Sequence, residues 1–125
     1  MGKFIRVLTI VAVFVALLGS HASGQQKITI RLADTAFDKF SFREAVDLYQ
    51  FAYQKDTTNA YLIRRISDCH RNLGNTEDVE VWIKKLIAMD QALPEDLFNL
   101  AMALKTNSKY EESEAMLKEF AILKP

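Results

Sequence analysis

Few side chains in this sequence are of types that do chemistry, and the most reactive of them are neighbours. Cys69 is the only cysteine, His70 follows it directly, and His21 is the only other histidine. A thiolate beside an imidazole could act as nucleophile and base. Adjacent residues of a helix point about 100° apart, however, so these side chains would not converge. We therefore predict a small buried thiol at Cys69 and a partly buried structural imidazole at His70. A reactive thiol or an intermolecular disulfide is the alternative for Cys69.

Carboxylates offer no better case for catalysis. Asp34 and Asp38 are four residues apart and would share one helix face, where we expect them to be solvated. The sequence contains no glycine-rich phosphate loop, no G-x-S-x-G and no H-E-x-x-H. These patterns predict no enzyme, no cofactor and no metal site.

The amino-acid composition excludes several classes of protein. The chain has 125 residues, enough for one small domain, and 16 Lys and Arg balance 16 Asp and Glu. That balance gives no field for binding nucleic acid or an anionic membrane. Four glycines and two prolines are too few for a disordered or turn-rich all-β protein, so the composition indicates helices.

The first two dozen residues have the pattern of an export signal. Lys3 and Arg6 precede an uncharged apolar run over residues 7–18, and small residues follow over 19–24. Ala22 and Gly24 suit the shallow pockets of a signal peptidase, so we predict a signal peptide over 1–24, cleaved before Gln25. The apolar run is shorter than the roughly 20 residues of a spanning helix. An uncleaved N-terminal anchor is the alternative.

The rest of the chain repeats itself every 34 residues. Stretches that begin at Gln26, Ala60 and Pro94 align without a gap (60 − 26 = 94 − 60 = 34). Equivalent positions hold similar residues: bulky at Leu32, Ile66 and Leu100, small at Ala33, Ser67 and Ala101, small or β-branched at Ala45, Val79 and Ser113, and bulky at Tyr49, Ile83 and Leu117. Small residues on facing sides let two helices approach closely. The repeat therefore predicts three helical hairpins, over 26–59, 60–93 and 94–125.

Local signals place the helix ends. A capping box is predicted from Ser41 and Glu44, a left-handed stop at Gly74, a cap from Thr58 or Asn59, and a helix start at Pro94. The predicted helices lie near 26–39, 42–55, 60–73, 76–89, 94–107 and 110–123.

The repeat resembles the tetratricopeptide repeat (TPR), a 34-residue pair of antiparallel helices. The resemblance covers residues 26–125 and is strongest over 42–46, with Tyr49, Ala52 and Asp56, and over 97–101 with 109–112. It implies an all-α, right-handed superhelix of three hairpins that binds proteins and has no catalytic role. Its concave side would be lined by the first helix of each hairpin.

That implied concave side supplies the candidate binding residues. In the second and third units we expect partner contacts from Tyr61, Arg64, Asp68, Arg71, Phe98, Met102 and Lys105. The first unit would add Lys27, Ile30, Asp34, Phe37 and Asp38. Aromatic and Arg side chains dominate binding hot spots, so a protein or peptide partner fits this set. The Lys/Asn clamp that some relatives use for a C-terminal carboxylate is not reproduced, because Asp34, Asp68 and Met102 stand at its position.

A narrower resemblance points to the cell envelope. Residues 66–71, 80–82 and 94–105 are similar to the N-terminal repeat region of Bacteroidetes-type OmpA-like envelope proteins, some linked to gliding motility and type IX secretion. The resemblance implies an exported scaffold, periplasmic or outer-membrane-associated, as part of an envelope complex or as its front module. A membrane-tethered assembly factor is the alternative if the apolar start is retained.

The last predicted helix leaves its partners open. Its apolar side chains at Tyr110, Met116, Leu117, Phe120, Ala121 and Leu123 span a wider arc than one neighbouring helix covers. We expect a second neighbour there: a further helix, a second copy or another protein.

Overall fold

The protein is described by a computed structural model that covers the backbone of residues 2–125, and the side chains of all of these except residue 4 and residues 7–22. Within residues 2–125 there are six α-helices and no strand. They are α1 (Gly2–Asp38), α2 (Phe42–Tyr53), α3 (Ala60–Asn72), α4 (Thr76–Ala88), α5 (Pro94–Thr106) and α6 (Tyr110–Leu123).

The helices pack in chain order as three hairpins. α1 pairs with α2, α3 with α4 and α5 with α6, while α2 also packs on α3 and α4 on α5. This confirms the all-α helical repeat. The helices α2 to α6 begin at the predicted residues, because each start follows a turn that the 34-residue period repeats.

The first helix is much longer than predicted. We expected it to begin near residue 26, but α1 begins at Gly2 and is unbroken to Asp38. No proline interrupts this stretch, and glycine lowers helix stability without preventing the helical conformation. The predicted apolar run of the signal peptide, residues 7–18, lies entirely outside the described side chains, and the cleavage before Gln25 stays a prediction. Over the described residues, no helix combines the length and hydropathy needed to cross a bilayer.

The core is built on the predicted small residues. Ala33, Ser67 and Ala101 on the first helices of the hairpins are at most 4 % exposed. Their partners on the second helices, Ala45, Val79 and Ser113, are as deeply buried. In the third hairpin the Ser113 hydroxyl donates to the Ala101 carbonyl at 2.7 Å, so a polar side chain fits the interface without an unmet hydrogen bond.

Of the three predicted signals for helix starts, two are confirmed and one is wrong. The Asn59 side chain accepts from the backbone N–H of Leu62 at 3.3 Å, which confirms the cap of α3. Pro94 opens α5 as predicted. The prediction of a capping box at Ser41 and Glu44 is wrong, since the Ser41 side chain makes no capping hydrogen bond. The backbone N–H of Ser41 donates instead to the Ala36 carbonyl at 2.9 Å, in the turn that closes α1.

One backbone conformation recurs in each hairpin turn. Phe40, Gly74 and Ser108 occupy equivalent positions, and their φ angles are 61°, 75° and 63°. In each turn the next residue's N–H donates to a carbonyl five residues earlier, which is the pattern of a left-handed helix C-terminus. Only Gly74 was predicted, because a Phe or Ser at this position gives no sequence signal of positive φ.

Candidate partner-binding face

The first helices of the three hairpins form a continuous surface, called here the first-helix face. Side-chain hydrogen bonds join the three helices: Tyr61 on α3 donates to Asp34 on α1, and Arg64 on α3 donates to Asp96 on α5. All seven predicted partner-binding residues lie on α3 or α5, the first helices of the second and third hairpins. Their binding role stays a prediction.

The predicted residues differ in how much surface they offer. Tyr61 and Phe98 are 43 % and 41 % exposed, which is high for aromatic side chains in a folded domain. Arg71 and Lys105 are exposed, while Met102, Asp68 and Arg64 are half-buried. The face thus combines two accessible rings with two accessible cations.

Asp34 is the centre of a hydrogen-bonded cluster and not a solvated carboxylate, as the sequence had suggested. One of its oxygens accepts the Tyr61 hydroxyl at 2.6 Å and also the hydroxyl of the buried Tyr49. Burial, and next the hydrogen bond each phenol donates to Asp34, raise the pKa of both tyrosines. Both hydroxyls therefore remain donors at neutral pH. Asp38, the other member of the expected pair, is exposed.

Arg65 completes this cluster and was missed by sequence reasoning. Its guanidinium lies 4.0 Å above the Phe37 ring centre and 3.8 Å from an Asp34 oxygen. Stacking on an aromatic ring suits the flat, weakly hydrated guanidinium. The Nε atom is buried with no hydrogen-bond partner among the described residues. No spacing rule marks Arg65, since its neighbour Arg64 looks equivalent in the sequence and only the fold separates their surroundings.

Arg64 is fixed by the start of the next hairpin. Its Nε and Nη2 atoms donate to the Asp96 carboxylate at 2.9–3.1 Å, and Nη2 also donates to the Gln91 carbonyl at 3.0 Å. The same carboxylate accepts the backbone N–H of Leu93 at 2.8 Å, where α5 begins. Arg64 therefore holds two repeats together, whatever it contributes to binding.

Asp68 and Arg71 lie near the C-terminal end of α3, the middle one of the three first helices. Arg71 Nη2 is 3.4 Å from Asp68, and half of the Arg71 side chain is exposed. Burial raises the pKa of the Asp68 carboxyl, and Arg71 opposes this shift. The pair is loose, so Arg71 can turn toward a partner at little cost.

Phe98 lies against the last helix. Its ring centre is 5.5 Å from that of Phe120 on α6, and the interplanar angle is 47°. This contact orients the Phe98 ring while leaving much of it accessible. A rigid, partly exposed ring is the kind of anchor that interfaces favour.

Cys69 and His70, the side chains most capable of chemistry, are both buried in the helical core. Cys69 is fully buried, and burial raises the pKa of its thiol to about 12, so it is a poor nucleophile. His70 is 8 % exposed, and burial lowers the pKa of its imidazole. Among the described residues, no three His, Cys, Asp or Glu side chains cluster as metal ligands.

Comparison with known proteins identifies the fold. No protein-family model and no curated protein matches the sequence. Solved structures do match: a TPR domain of Arabidopsis OM64 (TM-score 0.71, 17 % identity, 80 % of this chain and 83 % of that one) is one of them. Another is the first TPR domain of Spaghetti (RPAP3) bound to the HSP90 peptide SRMEEVD, with TM-score 0.72, 17 % identity and coverages of 80 % and 79 %.

A bacterial protein is similar to the same extent. It is the type III secretion translocator chaperone SycD of Yersinia enterocolitica, with TM-score 0.71, 18 % identity and coverages of 86 % and 81 %. At these identities the likeness establishes a TPR fold, and it leaves the partner and the cell compartment open.

Proposed function

We propose that this protein is a non-catalytic scaffold that binds a protein or peptide segment on its first-helix face. The observation that carries the proposal is the pairing of accessible rings and accessible cations on this face, at Tyr61, Phe98, Arg71 and Lys105. Rings and Arg side chains supply most of the energy at protein interfaces. The TPR fold supports it further, since one similar domain is seen with a bound peptide.

The partner segment we propose carries apolar side chains and charges of both signs. Tyr61, Phe98 and the half-buried Met102 would receive apolar groups. Arg71 and Lys105 would receive carboxylates at the end of the face nearest the hairpin turns. Asp34 and Asp68 stand where relatives carry a carboxylate clamp, so an acidic C-terminal peptide is disfavoured there by like charge.

Charge reversal on the face tests the proposal. Arg71→Glu with Lys105→Glu should abolish capture of the natural partner from an envelope extract of the native cells. Arg43→Glu with Lys55→Glu is the matched control, because it changes the charge equally and both side chains are exposed on or beside α2. Both variants should unfold at nearly the wild-type temperature, since exposed substitutions cost under about 0.5 kcal/mol each. Equal capture by the two double variants would contradict the proposal.

We propose further that the scaffold is exported to the cell envelope, periplasmic or associated with the outer membrane. The N-terminal pattern supports export, and the similarity to OmpA-like repeat regions supports a role as a module of an envelope complex. A second candidate is a membrane-tethered assembly factor, favoured by the unbroken course of α1 from Gly2 to Asp38.

The mass of the N-terminal peptide separates these two roles. An exported, processed scaffold should begin at Gln25, with or without cyclisation of that residue. A tethered factor should keep Met1 or Gly2 and should sediment with membranes.

A further inference from the structure

One face of α1 is exposed where the equivalent faces of α3 and α5 are buried. Ile28 and Leu32 are 59 % and 54 % exposed. In the second repeat their equivalents Leu62 and Ile66 are fully buried, because they pack against α2. Hydrophobic side chains are thus placed on α1 for a preceding helix that the described part of the chain does not supply.

The opposite end of the stack shows the complementary feature. On α2, Val46 and Tyr49 are buried at the contact with α3. Their equivalents on α6 are Glu114, whose side chain is 66 % exposed, and the half-buried Leu117. Tyr110, which begins α6, is 64 % exposed. The side of α6 that would meet a fourth repeat is therefore uncovered among residues 2–125.

Inside the chain, the second helix of one hairpin packs on the next repeat, and the contact between α4 and the third repeat shows which groups meet there. Glu80, equivalent to Glu114, is buried and accepts from Lys84 four residues later at 2.6 Å. It also accepts across the repeat boundary from Lys109 at 2.7 Å and from Asn107 at 3.3 Å. These contacts lower the pKa of Glu80 to about 2, with the bond from Lys109 as the largest cause. A carboxylate on one repeat is thus matched by a cation at the hairpin turn of the next.

Glu114 makes the same contact within its own helix as Glu80, but no contact to a following repeat is described for it. It accepts from Lys118, four residues later, at 2.7 Å, as Glu80 does from Lys84. The position that Asn107 holds in the third repeat is Lys39 in the first, and Lys39 is exposed beside the uncovered face of α1. A first repeat stacked on α6 in the internal register would bring Lys39 to Glu114.

We propose that this protein associates head to tail with further copies of itself, the face of α6 around Glu114 and Leu117 stacking on the face of α1 around Leu32 and Lys39. The apolar side chains at both ends become buried, and Lys39 supplies the cation that Lys109 supplies inside the chain. Such a contact joins two different surfaces, so it leaves one free end on each side and does not stop at a dimer. The first-helix face lies on other side chains and remains available to a partner.

Charge reversal and exchange test the stacking. Light scattering on the protein recovered from cells producing the full sequence should show a mass that grows with concentration past the dimer. Lys39→Glu alone and Glu114→Lys alone should each weaken association on the order of tenfold, because like charges then meet. The chain carrying both substitutions should regain it, since the opposite charges face each other again. Circular dichroism should show that all three variants remain helical.

Arg43→Glu and Glu111→Lys are the matched controls. Arg43 and Glu111 occupy the same repeat position, which Glu77 holds in the second repeat, and all three side chains are exposed. Both controls should associate like wild type. A wild-type monomer at every concentration, a mass that stops at the dimer, or no recovery in the doubly substituted chain would each overturn the proposal.

Crosslinking gives a second measurement that does not depend on the charges. The native thiol of Cys69 is buried, so a short bismaleimide would join only introduced cysteines. Mixed Lys39→Cys and Glu114→Cys chains should yield crosslinked dimers, and a chain with both changes should yield a ladder. Neither single variant alone should crosslink. Dimers of Glu114→Cys alone would mean that like ends meet and would refute the head-to-tail arrangement.

Discussion

Arg64 on α3 and the buried Asp96 at the start of α5 form a two-point ion pair, with nitrogen–oxygen distances of 2.9–3.1 Å. Asp96 also accepts the N–H of Leu93 and so caps the helix that Arg64 anchors. The pair joins the second and third hairpins on the face where we expect a partner to bind. Arg64 therefore stabilises the contact between two repeats, which its surface position in the sequence pattern did not indicate.

We expect Arg64→Met to lower the free energy of unfolding by about 2 kcal/mol, because it leaves the Asp96 carboxylate buried without its cation. The partial exposure of Arg64 keeps the cost below that of a fully buried pair. Urea unfolding would measure it. Arg71→Met, which breaks only the loose pair with Asp68, should cost under about 0.5 kcal/mol. Equal costs for the two variants would show that the Arg64 pair contributes no more than a surface contact.

The recurring left-handed turn can be tested at two positions. A side chain added at Gly74 would meet no atom within 4 Å, so Gly74→Ala should cost only the backbone penalty of a positive φ, about 1 kcal/mol. Phe40→Gly removes that penalty from the first hairpin and should stabilise the protein by up to about 1 kcal/mol, less the edge contact between Phe40 and Phe42. Thermal unfolding should therefore shift in opposite directions for the two variants.

Acid should weaken the fold through His70. Burial lowers the pKa of this imidazole in the folded protein, and the nearby Asp78 only partly opposes the shift. Because the folded protein binds this proton less readily than the unfolded chain, stability falls as the pH drops below the ordinary imidazole pKa of about 6.5. His70→Leu should flatten this dependence, measured as urea unfolding at several pH values.

Asp78→Asn gives the control for this titration. Removing the carboxylate, which lies 3.7 Å from His70 Nδ1, should steepen the loss of stability in acid. Asp68, whose pKa is raised, acts in the opposite sense at lower pH, so each variant should be compared with wild type at equal pH. An unchanged slope in His70→Leu would show that other groups dominate.

Cys69 should behave as a concealed thiol. Its full burial and raised pKa predict negligible reaction with iodoacetamide in the folded protein at pH 8. Labelling should become complete in denaturing urea. Rapid labelling of the native protein would mean that the contact between α2 and α3 opens readily.

The repeat itself was readable because helical packing imposes a strict period. Ala33, Ser67 and Ala101 recur every 34 residues, and each is buried where one hairpin closes on itself. Each such contact requires a small residue, so the recurrence of small residues in the sequence reveals where the two helices of a hairpin meet. This is why the starts of α2 to α6 were predicted to the residue.

The sequence predicted which helices carry the candidate site residues, but not the contacts that each residue makes. The period assigns Tyr61, Arg64 and Phe98 to the first helices of their hairpins, and the structure has all three on α3 or α5. It does not distinguish Arg64, held by Asp96, from Arg65, stacked on Phe37. Adjacent residues of one type receive different neighbours, and those neighbours lie about thirty residues away along the chain.

By itself the sequence determined the all-α class, the three hairpins, the small residues of the core and the buried character of Cys69. Tertiary structure alone decided which side chains at repeated positions are covered. Leu32 and Ile66 occupy equivalent positions, yet one is 54 % exposed and the other fully buried. The reason is physical: burial at a repeat boundary needs a preceding helix, and α3 has α2 before it, whereas the described chain places none against α1.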